Sequence, residues 1–395
     1  MKIIKFQTED FLPSLAMVNT VVLAKYTLPI LSDVRIETKD DGQGGVYAAL
    51  MTSDSETWLQ MKAPLVEAEV GIVICIEAKG LLQALRNLGG KPVTMEIDDS
   101  KHIVKCDYGN GHFSLPYEDA QDFPLPMAAP DGAKTKLMDA KTKLMDAKKM
   151  LTAIEKAGFA TANDELRPVM NGVRFEFFAD GMVAVASDGH KLAKYKDLTI
   201  TYDNSEDQTI YGFTMPKKPC STLLNVLGST VAGDIKVMFN DRCFTVNNYQ
   251  FKLTARLIEG RYPNYDAVIP KTNDKIVNVD KSAFISAMKR VLPMSSSTTE
   301  LVSLTFADGM MTIASEDFDF SKSASENIPC DYPLTSAPMS IGFKGSTLLQ
   351  LLQNVDGDTV KMALADPSRA GLITEGTTNS VYEYTSLLMP MLLAD

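Results

Sequence analysis

The chain repeats itself, and that limits what it can fold into. Residues 178–188 read FADGMVAVASD and residues 306–316 read FADGMMTIASE, identical at seven of eleven positions. Each copy spells a strand, an Asp-Gly turn and a second alternating strand, the pattern of a hairpin. A second element occurs three times: EAKGLLQALRNLGGKPVTMEI from Glu77, PCSTLLNVLGSTVAGDIKVMF from Pro219 and KGSTLLQLLQNVDGDTVKMAL from Lys344. All three carry a Leu-Leu pair on a short amphipathic helix, a Gly-containing stop and a Val/Met/Ile strand. In the third, Ser346 or Thr347 is a candidate cap. A third element also recurs three times, as IIKFQTEDFLPSLAMVNTV, KLMDAKKMLTAIEKAGF and IVNVDKSAFISAMKRVL, each a strand running into a helix. Thr8, Asp146 and Asp280 stand where a side-chain oxygen would cap an orphan helical N–H. A chain made of copies buries its core by stacking them.

Each copy reads strand, helix, strands, helix, strands, an α+β module of about 120 to 140 residues, within the ordinary domain range. The expected modules are 1–130, 131–271 and 272–395, with boundaries at the polar, Pro-bearing AAPDGAK and IPKTNDK. Residues 133–139 are duplicated as 140–146 (AKTKLMD), too few copies for a coiled coil. The second copy is expected to be the module's first strand and the first to be added linker.

Charge and cysteine usage bound the function less tightly. The net charge is −11, which disfavours nucleic acid only if charge is spread evenly, because an acidic protein can carry one basic face. The five cysteines are dispersed without CxxC pairing, and MKIIKFQTED breaks its apolar run with charges. Reduced thiols, no secretory signal and a cytoplasmic setting are therefore expected. No apolar run is long enough to span a membrane.

Five ordered motifs resemble those of one family. KYTLPIL (25–31), RPVMNGVRFE (167–176), SDGHKLAK (187–194), EGRYPNYDAVIP (259–270) and LLMPMLL (387–393) are similar to segments of the bacterial DNA polymerase III β subunit, the sliding clamps. The resemblance covers the whole chain. It implies three repeated clamp-type domains, each with two helices packed on antiparallel sheets, and a head-to-tail homodimeric ring whose helices line the pore. It also implies sequence-independent encirclement of duplex DNA, a separate clamp loader, and a groove that takes peptides of the replicative polymerase and other partners.

A pore lined by helices calls for basic helix faces, and Lys79, Arg86, Lys148, Lys149, Lys156, Lys217, Lys218, Lys281, Lys289, Arg290 and Lys344 lie in or beside the six expected helices. For any one lysine, a solvated amphipathic face explains the position equally well. The residues taken as DNA-facing are Lys25, Arg86, Lys148, Lys149, Arg167, Lys218 and Lys289. Lys25 and Arg86 match basic positions of the family. Pro168 and Val169 stand where some relatives carry aromatic residues, which puts stacking there in doubt.

By the same resemblance the peptide groove takes Met170, Ser187, Gly189, His190, Lys191 and Leu192, then Pro263 and Val268, Ser368 and Ala370, and Leu387, Met389, Pro390, Met391 and Leu392. Methionine and leucine give an adaptable apolar surface suited to several partners. A buried terminal strand is the plainer account of SLLMPMLL, although Pro390 argues against a central strand. Ala267 and Leu392 replace arginines common in relatives, and Ala394 and Asp395 extend the chain end. The ring contact is expected at Phe113 and Leu115 on one side and Val291 and Leu292 on the other.

No cofactor, metal site or nucleotide loop is expected. The three histidines lack metal-ligand spacing, and neither GxxxxGK[ST] nor GxSxG occurs. The competing reading is a hydrolase or β-rich binding module using Ser187-Asp188-Gly189-His190. Four consecutive turn residues seldom converge as a triad must, so turn chemistry is the simpler account.

Overall fold

The computed structural model describes residues 2–126, 145–201, 211–230, 233–240, 242–332 and 338–393. Most of the duplicated AKTKLMD segment and the first boundary lie outside these residues. Met145–Asp146, the end of the second copy, is a short strand paired with Asp234–Phe239, in keeping with its expected place.

Among the described residues there are six α-helices: α1 (Thr8–Val18), α2 (Ala78–Arg86), α3 (Ala147–Gly158), α4 (Lys217–Thr230), α5 (Lys281–Val291) and α6 (Gly345–Asn354). Their apolar faces follow helical spacing. Ala78, Leu81, Leu82 and Leu85 are buried in α2, and Phe284, Ala287, Met288 and Val291 in α5. Asp280 caps α5 by accepting from the Ala283 N–H at 2.7 Å, and Asp146 caps α3 by accepting from Lys148 at 2.8 Å. Thr8 is not a cap. It is the first residue of α1, buried, and its hydroxyl donates to the Lys91 carbonyl at 2.6 Å, tying the helix to a neighbouring loop. Ser346 does not cap α6 either, because its hydroxyl donates to the Glu300 carboxylate. Glu77 caps α2 through the Gly80 N–H at 2.6 Å.

The chain forms two compact units, Met1–Lys148 with Ser221–Leu257, and Lys149–Cys220 with Ile258–Asp395. They cut across the second repeat because its two groups of strands belong to different sheets. In the first unit a thirteen-stranded antiparallel sheet contains the join, where Phe251–Arg256 pairs with Thr57–Pro64 and Leu253 faces Leu59. In the second, an eight-stranded sheet contains a matching join, where Lys191–Asp197 pairs with Tyr382–Leu388 and Leu192 faces Leu387. A four-stranded sheet completes that unit, with Lys322–Pro329 at one edge and Met339–Lys344 at the other.

The two FADGM hairpins differ by a step in register. In the second copy Ala307 faces Met310, and Asp308 and Gly309 form the turn at φ +53° and +76°. Both angles suit the primed two-residue turn. In the first copy Phe178 faces Gly181, so Ala179 and Asp180 make the turn instead. There Gly181 lies at φ +150°, and a Cβ would stand 2.6 Å from the Asp197 carbonyl oxygen of the next strand. The close strand, rather than the motif itself, sets the register.

Candidate partner groove and its surroundings

In the second unit the strands Gly181–Ser187, Lys191–Asp197, Tyr382–Leu388 and Gly371–Glu375 lie side by side. Their pairing sets Leu192, Leu387 and Leu372 in one cross-strand row, since Leu387 faces both of the others. Val183, Val185, Leu192, Tyr262, Tyr265, Ala370 and Leu387 form one buried cluster, with Val169, Phe178, Ile269 and Leu372 packed against it. This is a floor of branched and aromatic side chains. Around it the expected groove residues are exposed: Gly189, His190, Pro263, Val268 and Ser368, with Met389 at 41% and Leu392 at 90%.

The segment 258–270 is fastened down by its tyrosines. Tyr265 donates to the Glu176 carboxylate at 2.6 Å, Arg174 holds that carboxylate at 3.1 Å, and Tyr262 meets Tyr265 edge-on at 6.5 Å. Burial pushes the Tyr262 hydroxyl up to about 12, so it stays neutral across the physiological range. The chain end is held from both sides. The Met389 N–H donates to the His190 carbonyl and the Met391 N–H to the Gly342 carbonyl, each at 2.8 Å. Gly342 leaves room for this, because a Cβ there would lie 2.8 Å from the Met391 oxygen.

Of the residues expected in the groove, the structure places Leu192, Ala370 and Leu387 in one cluster. Leu192, Ala370 and Leu387 are floor, while Val268 and Met389 are rim. Met170 is buried, and it is its neighbour Val169 that packs against the cluster. Sequence reasoning passed over Tyr262, Tyr265, Val183, Val185 and Leu372. The alternation in MVAVAS and the two tyrosines of YPNY were the available signals.

The SDGH turn has no nucleophile–base geometry. Ser187 donates to the Lys191 carbonyl at 2.8 Å, and Asp188 accepts from the His190 and Lys191 N–H groups and holds the Lys191 ammonium at 2.9 Å. These are the bonds of a closed turn at the top of the floor.

The basic residues divide as well. Lys25, Arg86, Lys148 and Lys289 are exposed, and Lys149 and Lys218 are half-buried. Lys149 donates to the Thr199 hydroxyl. Arg167 is exposed, but it pairs with Asp164 at 2.8 Å, and its guanidinium lies against Gly189, at the side of the groove. Lys156 does not offer its charge to solvent: it is 8% exposed and bonds the Asn354 carbonyl and the Asp356 carboxylate, both at 2.6 Å. Lys281 likewise donates to the Val355 carbonyl at 2.5 Å. A long side chain on a helix can fold back onto neighbouring carbonyls, which spacing alone does not reveal.

On the strand His112–Glu118, Phe113 and Leu115 are half-buried on one face. One edge of this strand pairs with Ile103–Asp107, while the other meets Val73–Glu77 only at Tyr117 and Glu118. Among the described residues, His112–Pro116 is thus open along that edge. Val291 needs correction as a contact residue. It is 1% exposed on the buried face of α5 and serves the core. Leu292, half-buried beside Gly345, remains on the outside.

Comparison with known proteins resolves the family. Three consecutive models match, the N-terminal domain of the DNA polymerase III beta subunit over residues 1–127, its central domain over 144–264 and its C-terminal domain over 266–392. The chain belongs to the beta sliding clamp family. The beta sliding clamp of Pseudomonas putida is 28% identical over 389 residues, covering 98% of this chain and 99% of that one. The Pseudomonas aeruginosa clamp structure superposes with a TM-score of 0.87 at 23% identity, covering all of both chains. The Bartonella birtlesii clamp, solved bound to griselimycin, gives 0.87 at 26% identity and covers 99% of this chain and all of its own.

Proposed function

We propose that this clamp closes as a head-to-tail dimer around duplex DNA and tethers the replicative polymerase and other replication proteins by short peptides seated in the groove. The observation that supports the reading is the apolar cluster of Val183, Val185, Leu192, Tyr262, Tyr265, Ala370 and Leu387, with exposed Val268 and Met389 on the segments that adjoin it. An apolar floor with exposed Val268 and Met389 on adjoining segments would suit a few buried anchors, the way short peptides bind. The three modules 1–130, 131–271 and 272–395 would supply six similar units per ring, and a heterologous contact that closes by rotation yields a ring rather than a fibre. The open edge at His112–Pro116 and the edge strand Lys322–Pro329 are the natural surfaces for that contact, since paired edges no longer invite aggregation.

Lys25, Arg86, Lys148, Lys149, Lys218 and Lys289 would contact phosphates weakly and without regard to sequence, so that retention comes from topology. Arg167 serves better at the groove rim. The protein would act in the cytoplasm, without catalytic chemistry or cofactor, and depend on a separate loader. No observation favours the hydrolase reading, because the Ser187 hydroxyl is committed to its own turn.

The test loads the protein onto a nicked circular plasmid with its cognate loader, removes free protein, and measures retention before and after the circle is cut. Retention on the circle with rapid loss from the linear form is expected. Equal retention on both would mean ordinary affinity binding and would sink the ring.

A further inference from the structure

We infer that the apolar floor continues along its own two strands into a basic cleft, which takes an acidic residue flanking the anchor of the same partner peptide. The inference rests on the peptide groove proposed above and adds one recognition position to it. Leu192 of Lys191–Asp197 faces Leu387 of Tyr382–Leu388 in the floor. Two residues along this pairing Lys194 faces Thr385, and two further along Lys196 faces Glu383. Side chains two apart on a strand share a face, so floor and cleft lie on one surface. Val185 and Val183 of the floor stand opposite Lys194 and Lys196 on the other side, across the pairing with Gly181–Ser187. Asp266, Ile269 and Lys271 border the cleft, and Ile269 also packs against the floor. The space measures about 370 Å³, enough for a side chain.

The charges in the cleft do not balance. Lys194, Lys196 and Lys271 line it together with Asp266 and Glu383. Lys194 pairs with Asp266 at 2.7 Å and lies 5.2 Å over the Tyr265 ring, and Lys196 pairs with Asp180 at 2.5 Å. Asp266 and Asp180 are 62% and 72% exposed, so both pairs open to water and exchange readily. Glu383 stands opposite Lys196, which leaves Lys271 as the charge without a counterpart. Lys271 is exposed and has no ion-pair partner among the described residues. An entering carboxylate meets the Lys271 ammonium and competes with a solvated Asp266 for Lys194. Continuity with the floor makes a peptide flank the occupant. The Lys194 and Lys196 rows lie roughly 7 and 13 Å from the leucine row, at about 3.3 Å per extended residue. The second and fourth residues from the anchor therefore stand over them.

The experiment is fluorescence anisotropy on the full chain with a labelled polymerase-derived clamp-binding peptide. The peptide is extended from its apolar anchor by Ala-Asp-Ala-Asp on one side or the other, and by Ala-Asn-Ala-Asn in the same places. One of the two Asp extensions should bind at least fivefold tighter than its Asn counterpart. K194M and K271M should each remove most of that gain and leave the Asn-extended peptides unchanged. K236M removes an exposed positive charge from the other unit and should keep the gain. Equal binding of Asp and Asn peptides on both sides would overturn the cleft and leave the groove standing. Equal loss of the gain in K236M and K271M would also overturn it, because long-range charge would then explain the effect. If no peptide binds, the Asn-extended ones included, the groove and its extension fall together. Should K194M misfold, seen as a lowered melting temperature, the exposed K271M decides alone.

Discussion

Asp33 is the clearest case of a residue whose surroundings set its charge. It is 6% exposed, bonded by Ser32 at 3.1 Å, with Glu77 directly across on the next strand. Burial pushes its carboxyl from the ordinary 3.8 up to about 6, with like charge from Glu118 and Glu77 adding to the effect. The folded chain therefore binds this proton more tightly than the unfolded chain. The resulting stabilisation is complete below about pH 3.8 and is lost as pH rises through about 6. Asp33→Asn should raise the melting temperature at pH 8 and have little effect at pH 4, by at most about 2–3 kcal/mol at 1.36 kcal/mol per pKa unit. A thermal melt at the two pH values checks this. In the groove, floor and rim should separate cleanly. Leu387→Ala removes buried volume and should cost about 2–5 kcal/mol of stability in urea titration. Val268→Asp with Met389→Ser should leave the melt in place yet weaken a polymerase-derived clamp-binding peptide at least tenfold, read by fluorescence anisotropy.

At the scale of elements, the repeats made strand–helix–strand order legible, because periodicity is local. Caps were legible only in part. Asp280 and Asp146 behave as their positions suggest, while Thr8 is drawn away by a carbonyl 83 residues distant in sequence, which no local pattern contains. Asp280→Ala should therefore cost about 1 kcal/mol by denaturant unfolding, and Thr8→Ala should act through loss of the loop tie instead. Lys156 teaches the same lesson about charge. Helical spacing put it on a basic face, but its ammonium is buried against Asn354 and Asp356 and lies 5.2 Å over the Tyr384 ring. Lys156→Met should cost about 1–3 kcal/mol, the range for a lost buried hydrogen-bonding group, without altering the salt dependence of DNA retention. Lys25→Met, by contrast, should reduce that dependence and leave the urea midpoint unchanged.

Across the whole molecule, the sequence disclosed how many modules there are but not how they join. Nothing local in TWLQMKAP says that it will pair with FKLTAR, or in KLAKYKD that it will pair with YEYTSLL, because these registers depend on contacts far apart in the chain. The apolar floor depends on the same distant pairings, which motif resemblance does not contain. The two joins have a mechanical consequence. Each welds neighbouring repeats by a ladder of backbone hydrogen bonds along the paired strands, so each resists stretching far better than a side-chain contact does. If a loader must spread the ring to admit DNA, the weld lines inside a subunit are poor hinges. In a ring of two copies, the seam between them would be the place to open.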